Sequence, residues 1–265
     1  MTSLLAWIAY DSRRATALYL ASDSRQTFEG GVFTDNCIKI FVSVADQNQS
    51  EIFGFCGDVE FSQYALRAVC SDIEKKRIPP SSRGNAESRA NWIHYYINDR
   101  LKNFNRALIH ATIILHASRD SWGGGAKFYL HSYSGGKGAT TLQKRRESFT
   151  RKNLHFRNGT GHNHIFEKLL EVRAQAGDFS RAYLAAFISS LNGENVDEGS
   201  GGAVQLAGIA TVGDAPHYGV VSDKGSFFRG EKATKILPKV QWFDTKMQRV
   251  NQNGSLLRSA KRHNW

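Results

Sequence analysis

The chain opens with Met1-Thr2-Ser3-Leu4-Leu5-Ala6-Trp7-Ile8-Ala9-Tyr10. This nearly unbroken apolar run predicts a β-strand that begins right after the first residue, and the rest of the fold is built on it. Residues 11–14 are typical of a turn, and residues 15–21 read as a second strand. Ser22-Asp23-Ser24-Arg25 closes that strand. The sequence therefore predicts that the chain opens with a β-hairpin.

Thr2 follows the initiator methionine directly. Methionine aminopeptidase ordinarily removes a methionine that precedes so small a residue, which would leave Thr2 with a free α-amine beside its hydroxyl. A hydroxyl is a weak nucleophile, and an N-terminal Thr supplies its own base. An α-amine has a reference pKa of about 7.7–8, so part of it is neutral near pH 7. Thr2 is thus a candidate nucleophile; the plainer interpretation is a strand-forming residue that happens to follow Met1.

The composition is that of an ordinary soluble globular protein, with 265 residues, 41% hydrophobic and 22% charged. No apolar run approaches the roughly 18 residues that span a bilayer, and the N-terminus lacks a signal-peptide layout. We therefore expect a cytoplasmic protein with no membrane partner. The three cysteines form no C-x-x-C pair, so neither a disulfide framework, a zinc site nor another cofactor is indicated.

The net charge of +11 is concentrated in two segments. Residues 119–157 and 225–265 each contain nine Lys or Arg against two acids. We interpret the first segment as a basic insertion, at about 119–157, in a domain over 1–223, and assign 224–265 to a basic C-terminal extension. Such segments bind nucleic acid or acidic partners, or simply form solvated loops. Because no helix-turn-helix, zinc-finger or RNP pattern accompanies the charge, nucleic acid is the less favoured partner.

The order of the remaining elements indicates an α+β fold. Two strands, two helices, two strands, two helices and two final strands follow one another, together with a short strand near 154–157. Two central sheets with a helix pair outside each would account for this order, which predicts a four-layer αββα sandwich of two antiparallel sheets. The helices are predicted at 60–76, 87–104, 165–175 and 179–191, the last with Asp178 as its N-cap, and the later strands at 37–44, 51–56, 108–115, 128–133, 203–210 and 218–221.

Four further motifs lie at the ends of these predicted elements. Lys39 follows Asp23 by 16 residues and lies in the third predicted strand. Gly54-Phe55-Cys56-Gly57 ends the fourth strand just before a helix. Asn158-Gly159-Thr160-Gly161 precedes the third helix, and Asp197-Glu198-Gly199-Ser200-Gly201-Gly202 precedes a late strand. Each motif alone is weak, but their order after Thr2 is specific.

Together these motifs resemble the proteasome β-subunit family, including bacterial peptidases that work with an ATP-dependent unfoldase. The resemblance spans roughly residues 2–223. It implies that the Thr2 hydroxyl attacks the scissile carbonyl while the Thr2 α-amine accepts its proton. It further implies that Lys39 provides a nearby ammonium, that Asp23 pairs with Lys39, and that the Gly57 N–H faces the oxyanion. The residues implied to orient the amine are Thr160, Asp197 and Ser200.

The resemblance implies a threonine-type endopeptidase subunit of a homo-oligomeric, proteasome-like ring that acts on peptides or unfolded proteins, with an ATP-dependent unfoldase as partner. Three alternatives remain open at this point. The chain is an N-terminal-nucleophile amidase for small amides, or a structural subunit without turnover, or a basic nucleic-acid-binding protein. A steep salt dependence of DNA or RNA binding would distinguish the last class.

Overall fold

A computed structural model describes residues 2–11, 14–46, 49–149, 155–177, 179–192 and 197–260. The predicted removal of Met1 and the predicted N-cap Asp178 lie outside these ranges, as does Leu154 at the start of the predicted short strand. The helices are α1 (Val59–Glu74), α2 (Ala86–Lys102), α3 (His162–Ala176) and α4 (Ser180–Ser190).

The strands of the described residues number sixteen in chain order. They are β1 (Ser3–Tyr10), β2 (Ala15–Ser22), β3 (Gln26–Thr27), β4 (Phe33–Thr34), β5 (Ile40–Asp46), β6 (Gln49–Cys56), β7 (Thr112–Asp120), β8 (Lys127–Gly135), β9 (Gln143–Glu147), β10 (His155–Gly159), β11 (Gln205–Ala210), β12 (His217–Ser222), β13 (Gly225–Phe228), β14 (Glu231–Lys232), β15 (Gln241–Asp244) and β16 (Arg249–Val250).

The opening hairpin lies inside the larger, nine-stranded sheet, whose main order is β10-β1-β2-β11-β12-β13-β14. β1 pairs with β10 on one side and with β2 on the other, both antiparallel. β15 lies parallel beside β12, and β16 pairs with β15. The smaller sheet is a five-stranded antiparallel meander, β5-β6-β7-β8-β9, and β3 and β4 form a separate two-stranded ribbon.

The apolar run of β1 is unbroken because both of its faces are covered. Leu4 and Ala6 belong to an apolar cluster with Leu20 of β2 and with Ile52 of the smaller sheet, so this face packs between the two sheets. The opposite face contributes Trp7, together with Leu5, to a second cluster that contains α3 and α4 side chains. All four of these β1 side chains are fully buried.

A third apolar cluster holds α1 and α2 against the smaller sheet, with Phe61, Val69 and Ile93 packed on Phe53 and Phe55. α1 begins at an N-cap, Asp58, whose carboxylate accepts the N–H of Phe61. The α+β class that the order of elements predicted is therefore confirmed, with mostly antiparallel sheets.

All four predicted helices are present, with ends within three residues of the predicted ones. The strand predicted at 108–115 instead covers Thr112–Asp120, and the one predicted at 37–44 begins only at Ile40. Lys39 therefore lies just before β5 rather than within the strand. β9 lies within the basic segment 119–157, at a place where no strand was predicted.

The C-terminal segment contributes β13 to β16 to the larger sheet, and its Trp242 and Phe243 are buried. The domain limits at 223 and 224 stay a prediction. Within the described part of the chain, no helix combines the length and the apolar character needed to cross a bilayer.

Candidate active site

The opening hairpin brings Thr2 and Asp23 together at one end of the larger sheet. β1 and β2 are antiparallel with Leu4 opposite Ser22, so the start of β1 and the end of β2 are neighbours. The N–H of Asp23 donates to the Ser3 carbonyl at 3.3 Å, and the Ser3 N–H donates to Asp23 Oδ1 at 3.0 Å. The local backbone thus fixes the Asp23 carboxylate beside the first described residues.

Lys39 completes a group of three side chains. Its Nζ lies 2.9 Å from Thr2 Oγ1 and 2.9 Å from Asp23 Oδ1. The Lys39 and Asp23 side chains are both 0% exposed, and Thr2 is 1% exposed. The ammonium therefore lies between a hydroxyl and a carboxylate, away from solvent.

The Asp23 carboxylate is surrounded by donors. Besides Lys39 and the Ser3 N–H, it accepts the backbone N–H groups of Arg25 at 3.2 Å and Gly201 at 3.1 Å, both on Oδ2. Burial raises the pKa of Asp23, while the Lys39 ammonium and the Ser3 and Gly201 N–H groups oppose that rise. These four donors fit the ionised form of the carboxylate.

A chain of hydrogen-bonded hydroxyl groups leads from Ser3, the neighbour of Thr2, to the Asp197 carboxylate. Ser3 Oγ donates to Ser200 Oγ at 2.9 Å, and Ser200 Oγ donates to Asp197 Oδ2 at 2.7 Å. Thr160 Oγ1 donates to the same Asp197 oxygen in a short hydrogen bond. The structure therefore brings the predicted Thr160, Asp197 and Ser200 together, and links them to the neighbour of Thr2.

Two glycines of the Asn158–Gly161 motif allow this turn to touch the start of β1. A Cβ on Gly159, whose φ is +94°, would lie 1.8 Å from the Thr2 carbonyl oxygen. A Cβ on Gly161 would lie 2.0 Å from Ser3 Oγ. Only a residue without a side chain fits at either position. Thr160 between them is no helix cap, because the N-cap of α3 is Gly161.

Gly57 lies at the end of β6, with a φ of +108° and its backbone pressed against that of Ala111 and Thr112. The oxyanion role of the Gly57 N–H stays a prediction. Burial raises the pKa of the adjacent Cys56 thiol to about 12, against an opposing effect of Lys39, whose charge acts on this strand end.

Asp58 places a second carboxylate next to Gly57, but its charge is matched. Burial alone would raise the pKa of Asp58; the Arg106 guanidinium, at 2.6 Å and 3.1 Å from its two oxygens, and the N–H groups of Ile109 and Phe61 outweigh burial and lower that pKa. This carboxylate therefore serves the start of α1 rather than the Thr2 group.

Sequence reasoning missed two residues that this geometry includes, Ser3 and Gln205. Ser3 connects the hydroxyl chain to β1, and Gln205 binds the backbone at both Asp23 and Lys39. The available signal for Gln205 was one polar residue at the start of an otherwise apolar strand, Gln205–Ala210.

A cavity of about 670 Å³ lies beside Ser200 and Gly201. Its other polar lining includes Arg25 and Asp35, which form a two-point ion pair at 2.7 Å and 2.9 Å. Thr2 and Lys39 are not among its lining residues, so the cavity adjoins the hydroxyl chain rather than the Thr2 hydroxyl. Among the described residues, no group of three His, Cys, Asp or Glu side chains is placed to hold a metal ion.

Comparison with solved structures gives the fold but little sequence likeness. Anbu, an ancestral β-subunit, from Yersinia bercovieri matches with a TM-score of 0.58 and 11% identity over 88% of this chain and 89% of that chain. A Gly-1 mutant of Anbu from Hyphomicrobium sp. strain MC1 matches with a TM-score of 0.54 and 12% identity over 82% of this chain and 86% of that chain. No protein-family model and no curated protein matches the sequence.

These findings correct the family assignment drawn from the motifs. Membership in the proteasome β-subunit family is wrong as inferred, because no model of any family matches the chain and two structural neighbours are Anbu proteins at only 11% and 12% identity. At that identity the likeness establishes the fold alone. The chain therefore has the fold of the Anbu proteins, and any activity must be argued from its own residues.

Proposed function

We propose that the protein is an N-terminal-nucleophile hydrolase of the threonine type that cleaves peptide bonds with Thr2. The observation that carries the proposal is the fully buried group in which Lys39 Nζ lies 2.9 Å from both Thr2 Oγ1 and Asp23 Oδ1. Taking a lysine and an aspartate out of water costs several kcal/mol per ion unless they are paired. A hydroxyl beside such a pair is the arrangement that nucleophilic catalysis needs.

The proposed reaction begins when removal of Met1 frees the Thr2 α-amine. Thr2 Oγ1 attacks the scissile carbonyl carbon, and its proton passes to the α-amine, directly or through a water. The Lys39 ammonium next to the hydroxyl favours the neutral form of that amine, so the base is ready near pH 7. Asp23 keeps the ammonium charged and oriented. The backbone N–H of Gly57 is the proposed donor to the oxyanion.

Collapse of the tetrahedral intermediate breaks the C–N bond, and the protonated α-amine returns its proton to the departing amine. This leaves an ester between the acyl group and Thr2 Oγ1. Water then attacks the ester carbonyl and gives a proton to the α-amine, and the acid product leaves as Thr2 regains its hydroxyl proton. In this proposal the hydrogen-bonded chain from Ser3 through Ser200 to Asp197 orients the amine, and Thr160 binds the same carboxylate.

A subunit of a proteasome-like homo-oligomer is the proposed setting, because the neighbour from Yersinia bercovieri is described as an ancestral β-subunit. Enclosure in such an assembly suits peptide or unfolded-protein substrates and an ATP-dependent unfoldase, in the cytoplasm. The proposed architecture is the four-layer αββα sandwich, which is supported by apolar clusters on the outer face of each sheet and between the sheets. A monomer in solution would favour the amidase alternative.

The test compares Thr2→Ala with Thr2→Ser, using a panel of small peptide epoxyketones that react with N-terminal threonines. The wild-type protein should gain the mass of one probe, Thr2→Ser should retain labelling, and Thr2→Ala should lose it at unchanged oligomeric size. Ser43→Ala is the matched control, because it removes a buried hydroxyl that donates to the Cys70 carbonyl and keeps every residue of the proposed site. Labelling of Thr2→Ala at the wild-type rate would exclude Thr2 as the nucleophile.

A further inference from the structure

Gln205 is a buried amide at the centre of the molecule, outside the motifs that the sequence singled out. It begins β11, where it lies opposite Ser22 of β2, so its side chain is next to Asp23. Gln205 is 1% exposed, while the residues after it in the strand, Leu206 and Ala207, are apolar and buried. A lone polar side chain at such a place must find partners.

Its side chain makes four hydrogen bonds, and all of them go to backbone atoms. Oε1 accepts the N–H of Lys39 at 2.9 Å and the N–H of Ile40 at 3.2 Å. Nε2 donates to the carbonyl of Asp23 at 3.0 Å and to the carbonyl of Cys37 at 2.8 Å. Two acceptor sites and two donors are the full capacity of a glutamine amide, so every one is used.

The orientation of the amide follows from these partners. Two N–H groups face one end of the amide and two carbonyl oxygens face the other, so exchanging oxygen and nitrogen would oppose like groups at all four contacts. The amide therefore has one orientation, and it fixes the spacing between Asp23 and Lys39 through their main chains.

Lys39 needs this support because it lies outside the regular pairing of its sheet. The register of β5 with β6 begins at Ile40 opposite Gly54, one residue after Lys39. The amide of Gln205 thus takes the place of a strand partner at Lys39. One backbone bond, from the Cys37 N–H to the Ser24 carbonyl at 2.9 Å, joins the same two segments.

The C-terminal segment closes over this amide. Gly230 has a φ of +87°, and a Cβ there would lie 3.2 Å from Gln205 Nε2 and 3.0 Å from the Ser24 Cβ. The turn between β13 and β14 is therefore packed against the side chain that spans the two sheets, and it restricts the amide to its place.

We propose that Gln205 is a positioning residue for the reaction, which sets the distance from Lys39 Nζ to Thr2 Oγ1 by fixing the Lys39 main chain against that of Asp23. The inference rests on the proposed function. Thr2 directly precedes β1 and Asp23 directly follows β2 of the larger sheet, whereas Lys39 directly precedes β5 of the smaller one. Any slip between the sheets therefore changes the distance from the ammonium to the hydroxyl. A misplacement of about 1 Å costs on the order of 10² in rate.

The test measures the maximal labelling rate and the half-saturating concentration of a peptide epoxyketone in Gln205→Met, which keeps the volume and loses all four hydrogen bonds. The control is Ser43→Ala. Ser43 is also buried, lies four residues after Lys39, and donates to the Cys70 carbonyl at 3.1 Å. Gln205→Met should lower the maximal rate at least tenfold with little change in half-saturation, while Ser43→Ala should leave both unchanged.

If folded Gln205→Met is labelled at a maximal rate less than tenfold below that of wild type, the inference is wrong. If the wild-type protein is not labelled at all, the proposed function itself is wrong. If Gln205→Met does not fold, Gln205→Glu serves, since its protonated carboxyl restores three of the four bonds. Its labelling rate relative to wild type should fall at least tenfold as the pH rises, because the ionised form faces two carbonyl oxygens. A smaller fall would overturn the inference.

Discussion

The buried ion pair between Lys39 and Asp23 predicts a large coupling in protein stability. Both side chains are 0% exposed and 2.9 Å apart, and removing one member of such a pair costs about 3–5 kcal/mol because the other charge stays buried. Lys39→Met leaves Asp23 three backbone N–H donors, from Ser3, Arg25 and Gly201, so we expect about 3 kcal/mol for this variant.

The double variant Lys39→Met/Asp23→Asn carries no buried charge at this site. We therefore expect its loss of unfolding free energy to be about 2–3 kcal/mol smaller than the sum of the two single losses. Urea denaturation followed by tryptophan fluorescence measures all three variants, since Trp7 is fully buried within the hairpin.

The chain offers a matched exposed pair as the control. Lys76 and Asp46 lie 2.5 Å apart, with side chains 58% and 48% exposed. Because such pairs contribute about 0.2–1 kcal/mol, the cycle of Lys76→Met and Asp46→Asn should show at most about 1 kcal/mol of coupling. Additivity within about 0.5 kcal/mol at Lys39 and Asp23 would refute the buried pair on which the site depends.

Two further predictions concern a glycine beside Thr2 and a buried histidine of the smaller sheet. Gly159→Ala should cost about 2–5 kcal/mol of unfolding free energy, because its φ is positive and the added Cβ clashes with Thr2. The control Gly213→Ala, with a φ of +80° and open space around it, should cost only about 1–2 kcal/mol. Equal melting temperatures for the two variants would contradict the prediction. Burial, and to a lesser extent the charge of His116, lowers the pKa of His131 to about 4. Between about pH 6.5 and 4 the unfolded chain therefore binds a proton that the folded protein does not, and the free energy of unfolding falls with falling pH by up to about 3 kcal/mol. His131→Gln keeps a partner for Glu87, which lies 2.9 Å from His131 Nε2, and cannot titrate, so denaturation at pH 4.5 and 7.5 should give a smaller difference than wild type; an equal difference would contradict the assignment.

The helices and the opening hairpin were predictable because their signals are local. The apolar spacing of α1 and α2 and the unbroken run of β1 each lie within one stretch of sequence. The short strands β13 to β16 carry no such signal, since their apolar residues are few and they are held by the sheet they join. β9 was missed for the same reason, being a charged strand paired on one side with β8.

The residues of the site also divide into those with a signal in the sequence and those that only long-range contacts bring together. The resemblance of the motifs drew attention to Asp23 and Lys39, which are 16 residues apart and lie in contact. The bonds of Gln205 to Asp23 and Lys39 bridge 182 and 166 residues, and that of Ser3 to Ser200 bridges 197, so no local pattern predicts them. The order of the elements predicted the α+β class, whereas the short loop motifs led to a wrong family, because each motif covers only one turn of the chain.

The most direct test of the account is the mass of the N-terminal peptide after treatment of the full chain with a peptide epoxyketone. If Thr2 is the nucleophile and its α-amine the base, we expect a peptide that begins at Thr2, lacks Met1, and carries one probe bound through both the hydroxyl and the α-amine. A folded wild-type protein whose N-terminal peptide retains Met1, or whose probe is attached at another residue, would contradict it.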